Sequence, residues 1–119
     1  MKNNWTAAGA AFGFLAVAIG AFGAHQLKNV LSPEMMEVYR TGVLYHLLHA
    51  VIITAIGFTA NPKYFKAALF LSIGIILFSF SLYIYTVTGI KALAMITPAG
   101  GVSFLIGWLL IFISSLKRK

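Results

Sequence analysis

The chain has 119 residues, 61% of them hydrophobic and 9% charged, with nine basic residues against two acidic ones for a net charge of +7. A charged fraction so far below the roughly 25% of soluble domains excludes a water-soluble globule, and four apolar spans leave no length for a separate soluble domain. The absence of cysteine excludes disulfides, thiolate metal sites and CxxC redox chemistry.

Four stretches carry no charged side chain: Asn3 to Leu27, Thr41 to Pro62, Ala67 to Ile90 and Ala92 to Leu116. Each is long enough for a spanning helix, which needs roughly 20 apolar residues. The predicted fold is all-α: one polytopic membrane domain over 1–119, with transmembrane helices at about 5–24, 33–60, 64–89 and 98–116 in a compact left-handed bundle. Helix one follows Lys2 and ends in a small-residue run. It resembles a secretory leader in outline but is read as a retained span. Its Gly-rich end at Gly20 and Gly23, with His25 behind, predicts the exit into the first loop. Ser32-Pro33-Glu34 opens helix two with a capping hydroxyl, a first-position proline and an acid at the positive helix end. That start lies well before the apolar run, so Glu34, Glu37 and Arg40 are expected at the interface. Asn61-Pro62 ends helix two, and Gly89 ends helix three. Thr97-Pro98 reads as a cap and start for helix four, leaving Ile90 to Ile96 as a lid-like loop; one longer helix kinked at Pro98 is the alternative.

The basic residues read as topology signals rather than as a nucleic-acid surface. Lys2, Lys63, Lys66, Lys117, Arg118 and Lys119 fall on one side of the four-span layout, and Lys28, Arg40 and Lys91 on the other. This excess places both termini in the cytoplasm. The lipid bilayer is the expected partner, with anionic headgroups the nearest ligand of the basic tail.

Small and polar residues recur every three to four positions: Gly9, Gly13, Ala16, Gly20 and Gly23 on helix one; Gly42, His46, His49 and, past Ile53, Gly57 on helix two; Gly100, Ser103 and Gly107 on helix four. In lipid, such rows are the expected helix contacts. With Ser79, Ser81, Pro98 and Gly101 they make up the predicted packing set. Helix three carries two stripes, Ser72, Ser79, Tyr83, Thr86 and Gly74, Ser81, Tyr85, Thr88, on nearly opposite faces. One is expected to pack within the protomer, the other to stay in the bundle or form a homo-oligomer contact.

The candidate site is a polar cluster in the outer half: His25, Glu37, Arg40, Tyr45, His46, His49, Tyr83, Tyr85 and Thr97. Polar groups in hydrocarbon need partners or water, so their concentration there predicts an internal network or an outward-facing pocket. No ionisable residue continues inward, which argues against a pore. His46 and His49 share a helical face at three-residue spacing; they are read first as interhelical hydrogen-bonding residues, then as ligand contacts, and last as metal or haem ligands with His25 as a third. Glu37 and Arg40 are expected to form an interfacial ion pair. Thr97-Pro98-Ala99-Gly100-Gly101 reads as a helix start with glycines for close packing ahead of an anion site. Trp5 and Trp108 are read as interface or packing aromatics. No catalytic residue and no cofactor is expected.

Gly20-Ala-Phe-Gly-Ala-His25, Tyr45-His-x-x-His-Ala50, Phe78-Ser-x-Ser-Leu-Tyr83 and Ile96-Thr-Pro-x-Gly-Gly101, followed by Gly107-Trp108, resemble the domain-of-unknown-function 423 family of small four-helix membrane proteins, also called YwdK/YgdD-like. The departure is Phe80, where the family pattern has a small residue. The resemblance implies a bacterial inner-membrane protein and carries no activity, substrate or cofactor with it. Three functions follow in order: a non-enzymatic structural or interaction protein; a binding protein or carrier for a small polar or amphipathic ligand in a His/Tyr-lined outer pocket; and a metal- or haem-binding protein.

Overall fold

The computed structural model describes residues 3–117; Lys2, Arg118 and Lys119, which weigh in the topology argument, lie outside them. Three long helices and a helix-turn-helix segment follow in order: α1 (Trp5–Gln26), α2 (Pro33–Thr59), α3 (Pro62–Thr88), a single turn α4 (Lys91–Ala94) and α5 (Thr97–Ser115). No strand occurs among the described residues. Four segments are long and apolar enough to cross a membrane: α1, α2, α3 and Lys91–Ser115.

Local chemistry sets most boundaries. The Asn3 carboxamide oxygen accepts from the Trp5 amide at 2.9 Å to open α1. The Ser32 hydroxyl accepts from the Met35 amide at 3.1 Å ahead of Pro33. Ala60 turns left-handed at φ 53° to close α2, and the Asn61 side chain accepts from the Lys63 amide to start the 3-10 turn that opens α3. Gly89, at φ 72°, ends α3 with its amide on the Tyr85 carbonyl; only glycine takes that conformation without strain.

Three expectations are corrected. Helix α1 runs past Gly20 and Gly23 to Gln26, and it stops where Leu27 is buried with Met36 and Tyr39 rather than at the glycines. The expected loop at 90–96 contains the helical turn α4, and α5 begins at Thr97. Thr97 therefore does not cap the helix. Instead, its hydroxyl lies 2.7 Å from that of Ser81 on α3.

Helix α3 is not uniformly α-helical. Residues Ile75–Phe80 form a wider π turn, and its Leu77–Phe78 backbone lies against Gly100 of α5. Both polar stripes of α3 engage within the chain: Tyr83 lies against Gly42 of α2, while Gly74 meets the Phe104 ring and Ser81 meets Thr97.

The principal pairings are α1 with α2 and α3 with α5, joined through α2 and α3. The Cα extents of 51 × 25 × 17 Å are those of a flattened assembly with α2 and α3 in its middle. Half of the most apolar window of α3 is buried, against 17% in α1, so the outer helices present most of their surface to lipid. Ile53 and Ile56 of α2, Leu71 and Ile75 of α3 and Phe104 of α5 form the main apolar core.

Candidate functional site

Helix α2 carries both buried histidines, and each is committed to a different neighbour. His46 is fully buried; its Nδ1 is hydrogen-bonded to the Tyr83 hydroxyl of α3 at 2.8 Å. Phe12 from α1 and Phe80 from α3 make T-shaped contacts with its ring at centroid distances of 6.2 and 5.4 Å. Phe80, the departure from the family pattern, thus supplies one wall of the His46 pocket.

His49 turns to α5. Its Nδ1 is 2.7 Å from the Tyr45 carbonyl and its Nε2 is 2.9 Å from the indole Nε1 of Trp108. A carbonyl can only accept and an indole N–H can only donate, so the ring is neutral with its proton on Nδ1. The imidazole also stacks on Phe104, centroids 3.8 Å apart and planes 11° apart. Tyr45 lies alongside, stacked on the same imidazole at 6.0 Å and tilted on Phe78 at 4.8 Å, with part of its surface toward lipid. His49 therefore ties α2 to α5 with no ring nitrogen left over, while His46 ties α2 to α3. The His46 Nε2 and the Ser79 hydroxyl are buried without a hydrogen-bond partner, a cost of about 1–3 kcal/mol each.

Other members of the expected cluster stay apart. His25 is exposed at the end of α1, and Tyr85 is half-buried without a polar contact to the histidines. Glu37 and Arg40 are exposed and form no ion pair; among the described residues no acidic oxygen lies within 4.0 Å of a basic nitrogen. The cause is solvent: interfacial side chains gain little from pairing and lose rotamer freedom by it. No group of three His, Asp or Glu side chains able to hold a metal occurs among the described residues. His49 in particular has its only lone pair engaged by Trp108.

Two contributors escaped the sequence reading. Trp108 reads from the sequence as an interface or packing aromatic, yet it lies near the middle of α5, where an indole N–H at the depth of the hydrocarbon requires an acceptor; that depth is the available signal. Tyr39, whose ring packs over Gly23, donates its hydroxyl to the Ile19 carbonyl of α1 at 2.6 Å. The groove of the loop end lies on this α1–α2 face. It measures about 270 Å³ and is lined by Gly20, Gly23, Tyr39, Arg40, Val43 and Leu47, among others. Neither histidine lines it, and its tyrosine is Tyr39.

Four apolar spans with polar side chains spent on joining one helix to another define a small polytopic integral membrane protein. The family model described as "Protein of unknown function (DUF423)" matches residues 19–101, and the chain belongs to that family. It is 41% identical over 114 residues to the "UPF0382 membrane protein YwdK" of Bacillus subtilis, covering 92% of this chain and 93% of that one. It is 35% identical to the "UPF0382 inner membrane protein YgdD" of Escherichia coli K12, over 90% of this chain and 85% of the relative. A "UPF0382 membrane protein" of Haemophilus influenzae is 38% identical over 100% of this chain and 98% of its own length. No solved structure matches the chain.

Proposed function

We propose that this protein is a non-enzymatic scaffold of the bacterial inner membrane, acting through packing and contacts with other membrane components, including further copies of itself. The observation that carries this reading is His49: both its nitrogens and one ring face are consumed by Tyr45, Trp108 and Phe104. A general base or a ligand contact needs a nitrogen free to meet substrate. The printed name of the Escherichia coli relative supports the inner membrane. Exposed Ala7, Ala11 and Ala18 on α1 give a small-residue surface suited to close approach of another helix.

His49→Ala is expected to cost about 3 kcal/mol, through a cavity beside Phe104 and an unpaired indole N–H, read as a lower midpoint on denaturing-detergent titration in bicelles. Native mass spectra of wild type and His49→Ala, released from bilayer discs, are expected to differ only by the mass of the substitution, with any bound species common to both. A discrete adduct on wild type that vanishes in the variant would overturn the scaffold reading.

The orientation belongs to the same proposal, with both termini and the Asn61–Lys66 turn in the cytoplasm. The cysteine-free chain makes this directly measurable. Asn61→Cys is expected to resist a membrane-impermeant maleimide in intact spheroplasts and to react after lysis, whereas Asn29→Cys reacts in both. The opposite pattern reverses the topology.

A further inference from the structure

A second depression adjoins the α1–α2 groove. It measures about 370 Å³ and is lined by Lys28, Leu31, Pro33, Met36, Glu37 and Arg40. Met36 and Arg40 line both. The surface therefore passes from a charged mouth to an apolar trough between Gly20 and Ala24 on α1 and Val43, Leu44 and Leu47 on α2. From Arg40 to Leu47 the trough follows α2 for about 10 Å along its axis, into the hydrocarbon from the interface. Two cations and one carboxylate stand at the mouth, and no ion pair removes either cation.

We propose that this composite groove is a binding site for one anionic phospholipid, of the phosphatidylglycerol type, from the leaflet at the loop end of the helices. The charge balance selects the headgroup. A phosphodiester is matched by Lys28 and Arg40, with Arg40 able to offer two parallel N–H donors. Glu37 accepts from the hydroxyls of a glycerol headgroup. The net single positive charge of the three groups complements a lipid of net charge −1 rather than a zwitterion. One acyl chain lies along Gly20 and Ala24, against Val43, Leu44 and Leu47. This goes beyond the scaffold reading and does not depend on it, since neither histidine takes part.

The test uses the full chain in phosphatidylcholine vesicles doped with phosphatidylglycerol or phosphatidylethanolamine carrying a diazirine on one acyl chain, the labelled residues being mapped by mass spectrometry after illumination. Labelling at residues 20–24 and 43–47, normalised to the lipid-facing residues Phe14 and Val17, is expected to be about fivefold higher for the glycerol lipid, the factor associated with one net interfacial charge. Lys28→Gln/Arg40→Gln, both at exposed positions outside the core, is expected to bring the ratio to one with the fold intact. Gly20→Leu is expected to reduce groove labelling by both probes. Equal labelling by the two lipids in wild type, higher labelling by the ethanolamine lipid, or a ratio unchanged in the double charge variant overturns the proposal.

Discussion

Gly100→Ala is expected to destabilise the protein by about 3 kcal/mol, whereas the same change at its neighbour Gly101 leaves stability unchanged or raises it by up to about 1 kcal/mol. Gly100 faces the π turn of α3 so closely that an added Cβ would lie 2.7 Å from the Leu77 carbonyl carbon and the Phe78 Cα, and closer still to the Phe78 amide nitrogen. These are backbone atoms, and no rotamer change moves them aside. Either α5 withdraws from α3 or the π turn is remodelled, which places the cost at the top of the 1–3 kcal/mol range for overpacking. Withdrawal would also strain two bonds between the same helices, Ser81 to Thr97 at 2.7 Å and the Ser103 hydroxyl to the Phe70 carbonyl at 2.7 Å. At Gly101 the new methyl would meet only the Phe78 ring, at 4.0 Å, and alanine regains the helix propensity that glycine lacks. Detergent-titration midpoints of the two variants in bicelles check the pair. A Gly100→Ala protein as stable as wild type would show that α3 and α5 do not approach this closely.

The π turn also marks the boundary of what the sequence discloses. Charge gaps of twenty-odd residues reveal the four spans because placing a charge in hydrocarbon is so costly. Ser32-Pro33, Asn61-Pro62 and Gly89 reveal helix ends because their chemistry is local. Nothing in the residues Ile75 to Phe80 distinguishes a π from an α turn; the distortion belongs to the contact with Gly100, some twenty residues further along the chain. The two stripes on α3 were visible, but their pairing with α2 and α5 depends on which helix lies in the middle. Within the candidate site, the three-residue spacing of His46 and His49 reads as one shared helical face, and spacing cannot say that one meets Tyr83 on α3 and the other Trp108 on α5. His25 and Tyr85 were included because they share a membrane level with the histidines, and equal depth does not imply contact. Glu37 and Arg40 stand at a pairing distance in sequence, but between exposed side chains the ionic attraction is too weak to fix the pair.

The seam between α1 and α2 carries the second large expectation. Gly9 faces Thr54 and Gly57 faces Thr6, three residues apart on each antiparallel helix; a Cβ at either glycine would lie 2.7 Å from the opposing threonine Cα and nearer to other atoms of that residue. Thr54 is further restrained by its hydroxyl, held on the Ala50 carbonyl at 2.8 Å. Gly57→Ala and Gly9→Ala are each expected to cost about 3 kcal/mol. Gly13→Ala, whose methyl would touch only Ala50 Cβ at 3.9 Å, costs nothing or gains up to about 1 kcal/mol. The double variant at Gly9 and Gly57 should lose less than the sum, because one separation of the helices relieves both contacts. Helix α1 touches the rest of the chain chiefly through α2, so opening this seam would also spread the groove that Gly20 and Gly23 share with Val43 and Leu47. Gly57→Ala should therefore lose both stability and selective lipid labelling, although Gly57 is at the far end of α2 from the groove, while Gly13→Ala should keep both. If the labelling survived in a destabilised Gly57→Ala protein, the groove would be a local property of the loop end, independent of how tightly the two helices close at their other end.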